Sequence, residues 1–289
     1  MKRVKQVESG IGGPVLVTGI SSGIGRATAL KLAAAGIPVL GTVRREEDAR
    51  ELRILGGGSI HAFRCDLAHP EEVARLIAEL RAELARRGTG LYALVNSAGG
   101  SLVAPVELMD LERFRRELEA RLVGSLALVQ AFLGELRRTK GRILWIATPG
   151  LMPTTYVTGI HACDFAVNCL ARSLALELGP SGPAVSLIRC GGIRTRAGLA
   201  TRQTLEASLY GIEPERVEPY RARLEAWLRS MERFDAKRSD PDVVADVVLA
   251  ALRARRPRSR YRVGYLSGAA AILESLPQRL TDRILALRG

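Results

Sequence analysis

Short apolar runs alternate along this chain with longer stretches whose apolar positions recur every three or four residues. The runs at 14–19, 38–44, 59–67, 91–99, 141–148 and 184–192 are close to continuously apolar. Strands buried on both faces need that pattern. The stretches at 25–36, 69–88, about 110–138 and about 155–178 carry helical periodicity, the first of them ending at Gly36. Strand–helix alternation of this kind predicts an α/β fold: one domain, taken over 1–289, built on a doubly wound parallel sheet. Residues 197–240 interrupt the alternation with charged helical sequence carrying Tyr210, Tyr220 and Trp227. They follow the sixth strand, so they belong near the carboxyl edge of the sheet, where such folds bind ligands. The expectation is a helical insertion that covers a substrate. Residues 253–289 are read as a basic connector, a short strand and an amphipathic tail at 269–287, whose default role is packing on the core.

Composition narrows the classes. Apolar residues make up 47% and charged residues 25%, ordinary for a soluble globular chain. No apolar run approaches the roughly 20 residues of a membrane-spanning helix. The basic N-terminus lacks the apolar core of a secretory signal. The net charge is +13, with only five lysines, so arginine supplies it. The arginines are dispersed and interleaved with glutamate, which argues for solvated helix faces and against a nucleic-acid partner. The one dense cluster, at 253–264, reads as a solvated connector, with weak membrane-surface contact as the alternative. Cys65, Cys163, Cys169 and Cys190 form no CxxC pair and no zinc spacing. Reduced thiols, a cytoplasmic location and no metal are therefore expected.

The segment TGISSGIG at 18–25 lies directly between a strand and a helix. Gly19, Gly23 and Gly25 would let the backbone approach a pyrophosphate, which the helix N-terminus attracts with free N–H groups and its dipole. Ser21, Ser22 and Ile24 complete that loop. The next strand ends in Arg44 and Arg45 and not in a carboxylate. An NAD site uses a carboxylate there for the ribose 2′-hydroxyl, whereas arginine suits a 2′-phosphate. The expected cofactor is NADP(H), with Arg44 as main contact and Ser22 assisting.

TGxxxGxG at 18–25, CDL at 65–67, NSAG at 96–99 and the strand at 141–148 resemble the short-chain dehydrogenase/reductase family, with its Rossmann-type sheet. The likeness runs from about residue 13 to the end of the chain. The ending is similar to the branch containing retinol and hydroxysteroid dehydrogenases. The resemblance implies that Asp66 and Leu67 flank an adenine. It also implies that Asn96, Ala98 and Gly99 lie near its ribose and support the sheet. Thr195 falls where the family keeps a threonine near the carboxamide, and Cys190 replaces the usual proline of that loop. A homodimer or homotetramer through 110–138 and 155–178 is implied as well.

The same family works with asparagine, serine, tyrosine and lysine. Counting back from SLALEL at 173–178 puts Asp164 at the lysine place and Ile160 at the tyrosine place. Thr148 takes the serine place, with Ala147 as the second candidate, and Arg121 the asparagine place. Isoleucine cannot move a proton, and loss of a general acid removes about 10²–10⁴ in rate. A lone buried Asp164 would be costly, so an Arg121–Asp164 ion pair is expected, with bidentate contact. Three functional readings stay open. One is an NADP(H)-binding protein with a degenerate centre and no ordinary carbonyl reduction. The second is an atypical oxidoreductase for a carbonyl, iminium or alkene, with Tyr156 or His161 as substitute acid. The third is a cofactor-free cyclase or lyase using Thr148 or Asp164. Few aromatics and the small, apolar run at 149–155 point to a lipophilic ligand.

Overall fold

Period-two burial organises the sheet. In β1 (Val15–Val17), Val15 and Val17 pack into one core cluster while Leu16 packs into the other. The same alternation continues through β2 (Val39–Val43), β3 (Ile60–Arg64), β4 (Ala93–Asn96), β5 (Arg142–Ala147) and β6 (Ala184–Cys190), so both faces are buried. The computed structural model describes residues 11–286; the basic stretch at 1–10 and residues 287–289 of the expected domain lie outside them. A seventh strand, β7 (Arg260–Val263), follows β6, and all neighbours pair in parallel in the order β3-β2-β1-β4-β5-β6-β7. The order reverses between β1 and β4, and the crevice at their carboxyl ends is where such sheets take ligands.

Helices cover both faces. On one face α1 (Gly23–Ala34) packs with the later α11 (Asp242–Arg253) through Ala29, Leu32, Val244 and Val248. The short α2 (Glu46–Leu55) follows β2 and buries only Ala49 and Leu52. On the other face, α3 (Pro70–Arg87), α5 (Gly124–Arg138) and α6 (Thr158–Leu178) bury Leu80, Phe132 and Val167. Before α5 comes α4 (Leu111–Leu118), and a π-helical turn at Glu119–Val123 joins the two. The sequence predicts one helix over about 110–138; the structure keeps its span and inserts that wide turn. Helix α6 begins at Thr158, not near 155.

The interruption after β6 folds as α7 (Arg196–Leu199), α8 (Thr201–Leu209), α9 (Pro214–Val217) and α10 (Arg221–Asp235). The tail divides into α12 (Ser267–Glu274) and α13 (Gln278–Ala286), because Pro277 cannot continue a helix. Among the described residues no helix is long and apolar enough to cross a membrane.

Cys65, Cys163 and Cys190 are buried and Cys169 is exposed. Burial pushes the Cys65 thiol up to about 12 and the Cys163 thiol up to about 11. Thiolate is the reactive form. Iodoacetamide at pH 8 should therefore leave Cys65 and Cys163 unmodified, any adduct falling on the exposed Cys169, by peptide mass spectrometry. Fast modification of Cys65 or Cys163 in the folded protein would contradict this burial.

Candidate active site

The glycine loop reaches the crevice because the backbone there has no side chain in the way. Gly19 and Gly23 adopt φ of 72° and 55°, which favours glycine. A Cβ on Gly19 would lie 2.8 Å from the Ala98 Cα, so the loops after β1 and β4 touch backbone to backbone. Thr18 locks that contact, its hydroxyl accepting from the N–H groups of Ser97 and Ala98 at 2.9 and 3.0 Å. Helix α1 then starts at Gly23 with no side-chain cap from Ser22, leaving its N-terminal donors toward the cavity. That cradle fits a pyrophosphate.

A cavity of about 840 Å³ opens there. At its nucleotide end it meets Gly19, Ser21, Ser22, Gly23, Ile24 and Gly25, and also Arg44, Asp66, Leu67, Ala98, Gly99 and Thr195. Asp66 is held by Arg116 at 3.1 Å and accepts from the Ala68 N–H at 3.1 Å. Thr195 stands over Gly23 and caps α7 by accepting from the Gly198 N–H at 3.0 Å. Two of the expected cofactor residues are placed elsewhere. Arg45 lies outside the cavity lining, with Nε and one terminal nitrogen on Asp48 at 3.0 and 2.9 Å. Asn96 is buried behind the lining and donates to the Leu144 carbonyl at 3.4 Å, tying β4 to β5. Arg44 is exposed at the cavity, without a hydrogen bond or ion pair among the described residues.

The polar centre lies deeper. Asp164, 4% exposed, accepts the Thr148 backbone N–H at 2.8 Å with one oxygen and faces Arg121 at 3.5 Å with the other. The expected pair is present, but its contact is single, not bidentate. Arg121 spends its other donors on Glu117 at 2.9 Å and on the Gly100 carbonyl at 2.9 Å. Glu117 in turn accepts from the Gly100 N–H at 3.1 Å. Burial pulls the Arg121 pKa down, but Asp164 and Glu117 together hold it above its ordinary value, so the guanidinium stays charged. A Cβ on Gly99 would collide with that guanidinium and one on Gly100 with Glu117. The two glycines therefore make room for the ion cluster as well as for a ligand. Sequence reading missed Glu117, although its spacing four residues before Arg121 is a helix-face signal.

Ile160 and Thr148 line the cavity beside this cluster. His161 lines it too, its Nδ1 3.1 Å from the Met152 carbonyl. Tyr156 does not. It takes φ 64° just before α6 and packs edge-on against Trp227, ring centres 5.3 Å apart, in a small cluster with Leu224 and Leu228. The far wall comes from the insertion and the tail, through Trp227, Met231, Phe234, Ala270, Leu273 and Leu285. The tail was expected to pack on the core and instead helps to enclose the chamber.

The family model for short chain dehydrogenase matches residues 14–206. The chain is 32% identical to 11-beta-hydroxysteroid dehydrogenase type 2 of Ovis aries over 87% of its own length and 60% of that protein's, so it spans less than two thirds of this relative. A solved short-chain dehydrogenase of Streptomyces avermitilis superposes with a TM-score of 0.73 at 26% identity, covering 96% of this chain and 98% of that one. A candidate NAD(P)-dependent gluconate 5-dehydrogenase of Beutenbergia cavernae, solved with NADP at low occupancy, reaches 31% identity and a TM-score of 0.63. That match covers 82% of this chain and 88% of the other.

Proposed function

The chain belongs to the short-chain dehydrogenase family, and from that premise we propose that it binds NADP(H) beside a lipophilic ligand and lacks tyrosine-driven carbonyl reduction. The observation that carries the second half is the occupied polar centre. Asp164 and Arg121 neutralise each other at 3.5 Å; by the count along the chain these are the places of the family's lysine and asparagine, with Ile160 at the tyrosine place. Asp164 has both oxygens engaged and Glu117 is bound to Arg121 and Gly100, so neither is a free acid.

The glycine cradle would hold the pyrophosphate, and Asp66 and Leu67 would flank the adenine. Arg44 would meet a 2′-phosphate, which favours NADP(H) over NAD(H). When bound, the dinucleotide supplies hydride transfer. The chain's own part is to fix that group, exclude water with the apolar wall, and place Thr148 and His161 near the ligand. The chamber's apolar lining, from Met152, Ile160, Phe234 and Leu273, suits a lipophilic molecule. A homodimer or homotetramer through α4–α5 and α6 is part of the same reading, supported by exposed Leu111 and Leu176 on those helices and Val123 in the π turn between α4 and α5.

Ketone reduction tests this reading. With NADPH at pH 8 and 1-indanone or a 3-ketosteroid as probe, turnover should stay below about 0.1 s⁻¹. That is two orders or more under the roughly 10 s⁻¹ of a median enzyme, the loss expected without a general acid. Several turnovers per second would refute it.

A further inference from the structure

Among the described residues His161 is the histidine that lines the cavity, and its surroundings fix its state. It sits in the first turn of α6, which starts at Thr158. A carbonyl oxygen only accepts, so the 3.1 Å contact with Met152 requires the proton on Nδ1. In the neutral ring Nε2 then carries the lone pair. It has no hydrogen-bond partner among the described residues and is not among their sealed, unpartnered polar atoms. Burial is the largest influence and pulls the His161 pKa below its ordinary value. The Met152 carbonyl and Asp164 oppose that shift and Arg121 adds to it. The positive end of α6 works in the same direction as burial. Phe165 packs edge-on against the ring at 6.3 Å between centres and brings no charge. A neutral imidazole at neutral pH is a ready proton acceptor and a scarce proton donor.

We propose that His161 Nε2 is the proton-accepting group for oxidation of a lipophilic secondary alcohol, coupled to an oxidised nicotinamide dinucleotide. The inference rests on the dinucleotide-binding reading above. The alcohol is the species oxidised. Its carbinol C–H bond breaks with the electron pair going to the nicotinamide ring, which is reduced. Its O–H proton passes to Nε2, and the carbonyl double bond forms. The imidazolium then releases its proton to water. Ketone reduction needs the same ring protonated, so at pH 8 the reverse direction lacks its acid. This ties the slow ketone reduction predicted above to a faster oxidation.

The test uses the full chain with NADP⁺ and three probe alcohols, 1-indanol, 1-tetralol and androsterone. Two variants separate chemistry from folding. His161→Asn can keep a donor for the Met152 carbonyl without offering Nε2, and His161→Phe keeps ring volume. The wild type should form NADPH from at least one probe at pH 8, ten times or more faster than it reduces the matching ketone. Both variants should lose about 100-fold in kcat, with NADP⁺ affinity within threefold of the wild type. The acidic limb of the wild-type pH profile should vanish with them. A readout independent of turnover is the imidazole ¹⁵N spectrum of the apo-protein, assigned by difference against His161→Asn. It should show Nδ1 protonated and Nε2 bare at pH 7, with Nε2 shifting when the alcohol is added. Normal NADP⁺ binding with no alcohol oxidation, or variants retaining kcat within threefold, overturns the proposal. So does a protonated Nε2. Loss of NADP⁺ binding in the wild type fails the dinucleotide reading itself and the proposal with it.

Discussion

Arg121→Met should destabilise the folded protein by about 3–5 kcal/mol, the cost of leaving buried charge without its partner. Two carboxylates depend on that guanidinium, Asp164 at 3.5 Å and Glu117 at 2.9 Å. Net stabilities of ordinary domains are about 5–15 kcal/mol, so the loss would be a large share of the total. Asp164→Asn should cost far less, about 1 kcal/mol, because the amide oxygen still accepts from the Thr148 N–H and Arg121 keeps Glu117. In Arg121→Met/Asp164→Asn, one of the two stranded carboxylates is gone, and the double variant should recover part of the loss. Urea denaturation of the four proteins gives the coupling directly. Additive effects, with no recovery in the double variant, would mean that Arg121 and Asp164 are neighbours without being energetic partners.

Arg44→Glu should weaken NADPH binding by about 100-fold, roughly 2.7 kcal/mol, and narrow or invert the preference over NADH. A carboxylate at that place repels a 2′-phosphate and accepts from a 2′-hydroxyl. Arg45→Ala should change either affinity by less than about threefold, because Arg45 is already bonded to Asp48 and lies outside the cavity lining. Sequence reading placed both arginines at the cofactor. Only the local geometry separates them: Arg45 is the residue before α2, and Asp48 three positions on captures its fork.

That contrast marks how far the sequence can be read. The strands were legible because burial on both sides demands apolar residues at every position, and the glycine loop because its spacing serves one backbone shape. Helix α2 escaped notice, since EEDARELRIL buries only Ala49 and Leu52 and its remaining face is charged. The π turn at Glu119–Val123 carries no sequence signal, yet Arg121 sits in it. The pairing of Arg121 with Asp164 was legible as charge compensation, whereas its single contact and the shared Glu117 were not, because they depend on where helices cross. Tyr156 looked like a substitute acid in the linear order. A left-handed backbone turn sends it instead onto Trp227, about seventy positions away in the chain and invisible to local pattern. The tail misled for the opposite reason: an amphipathic helix needs an apolar neighbour, and periodicity does not say whether that neighbour is core or ligand chamber.

The protein pairs a working NADP(H) site, in the function proposed above, with a neutralised polar centre. Titration of the purified protein with NADPH and with NADH, followed by nicotinamide fluorescence and melting temperature, tests it most directly. NADPH at 100 times its dissociation constant should add about 2.7 kcal/mol of stability, and NADH at the same concentration should add much less. Equal binding of both would remove Arg44 from the account. Binding of neither would make the glycine cradle a relic and contradict the account at its root.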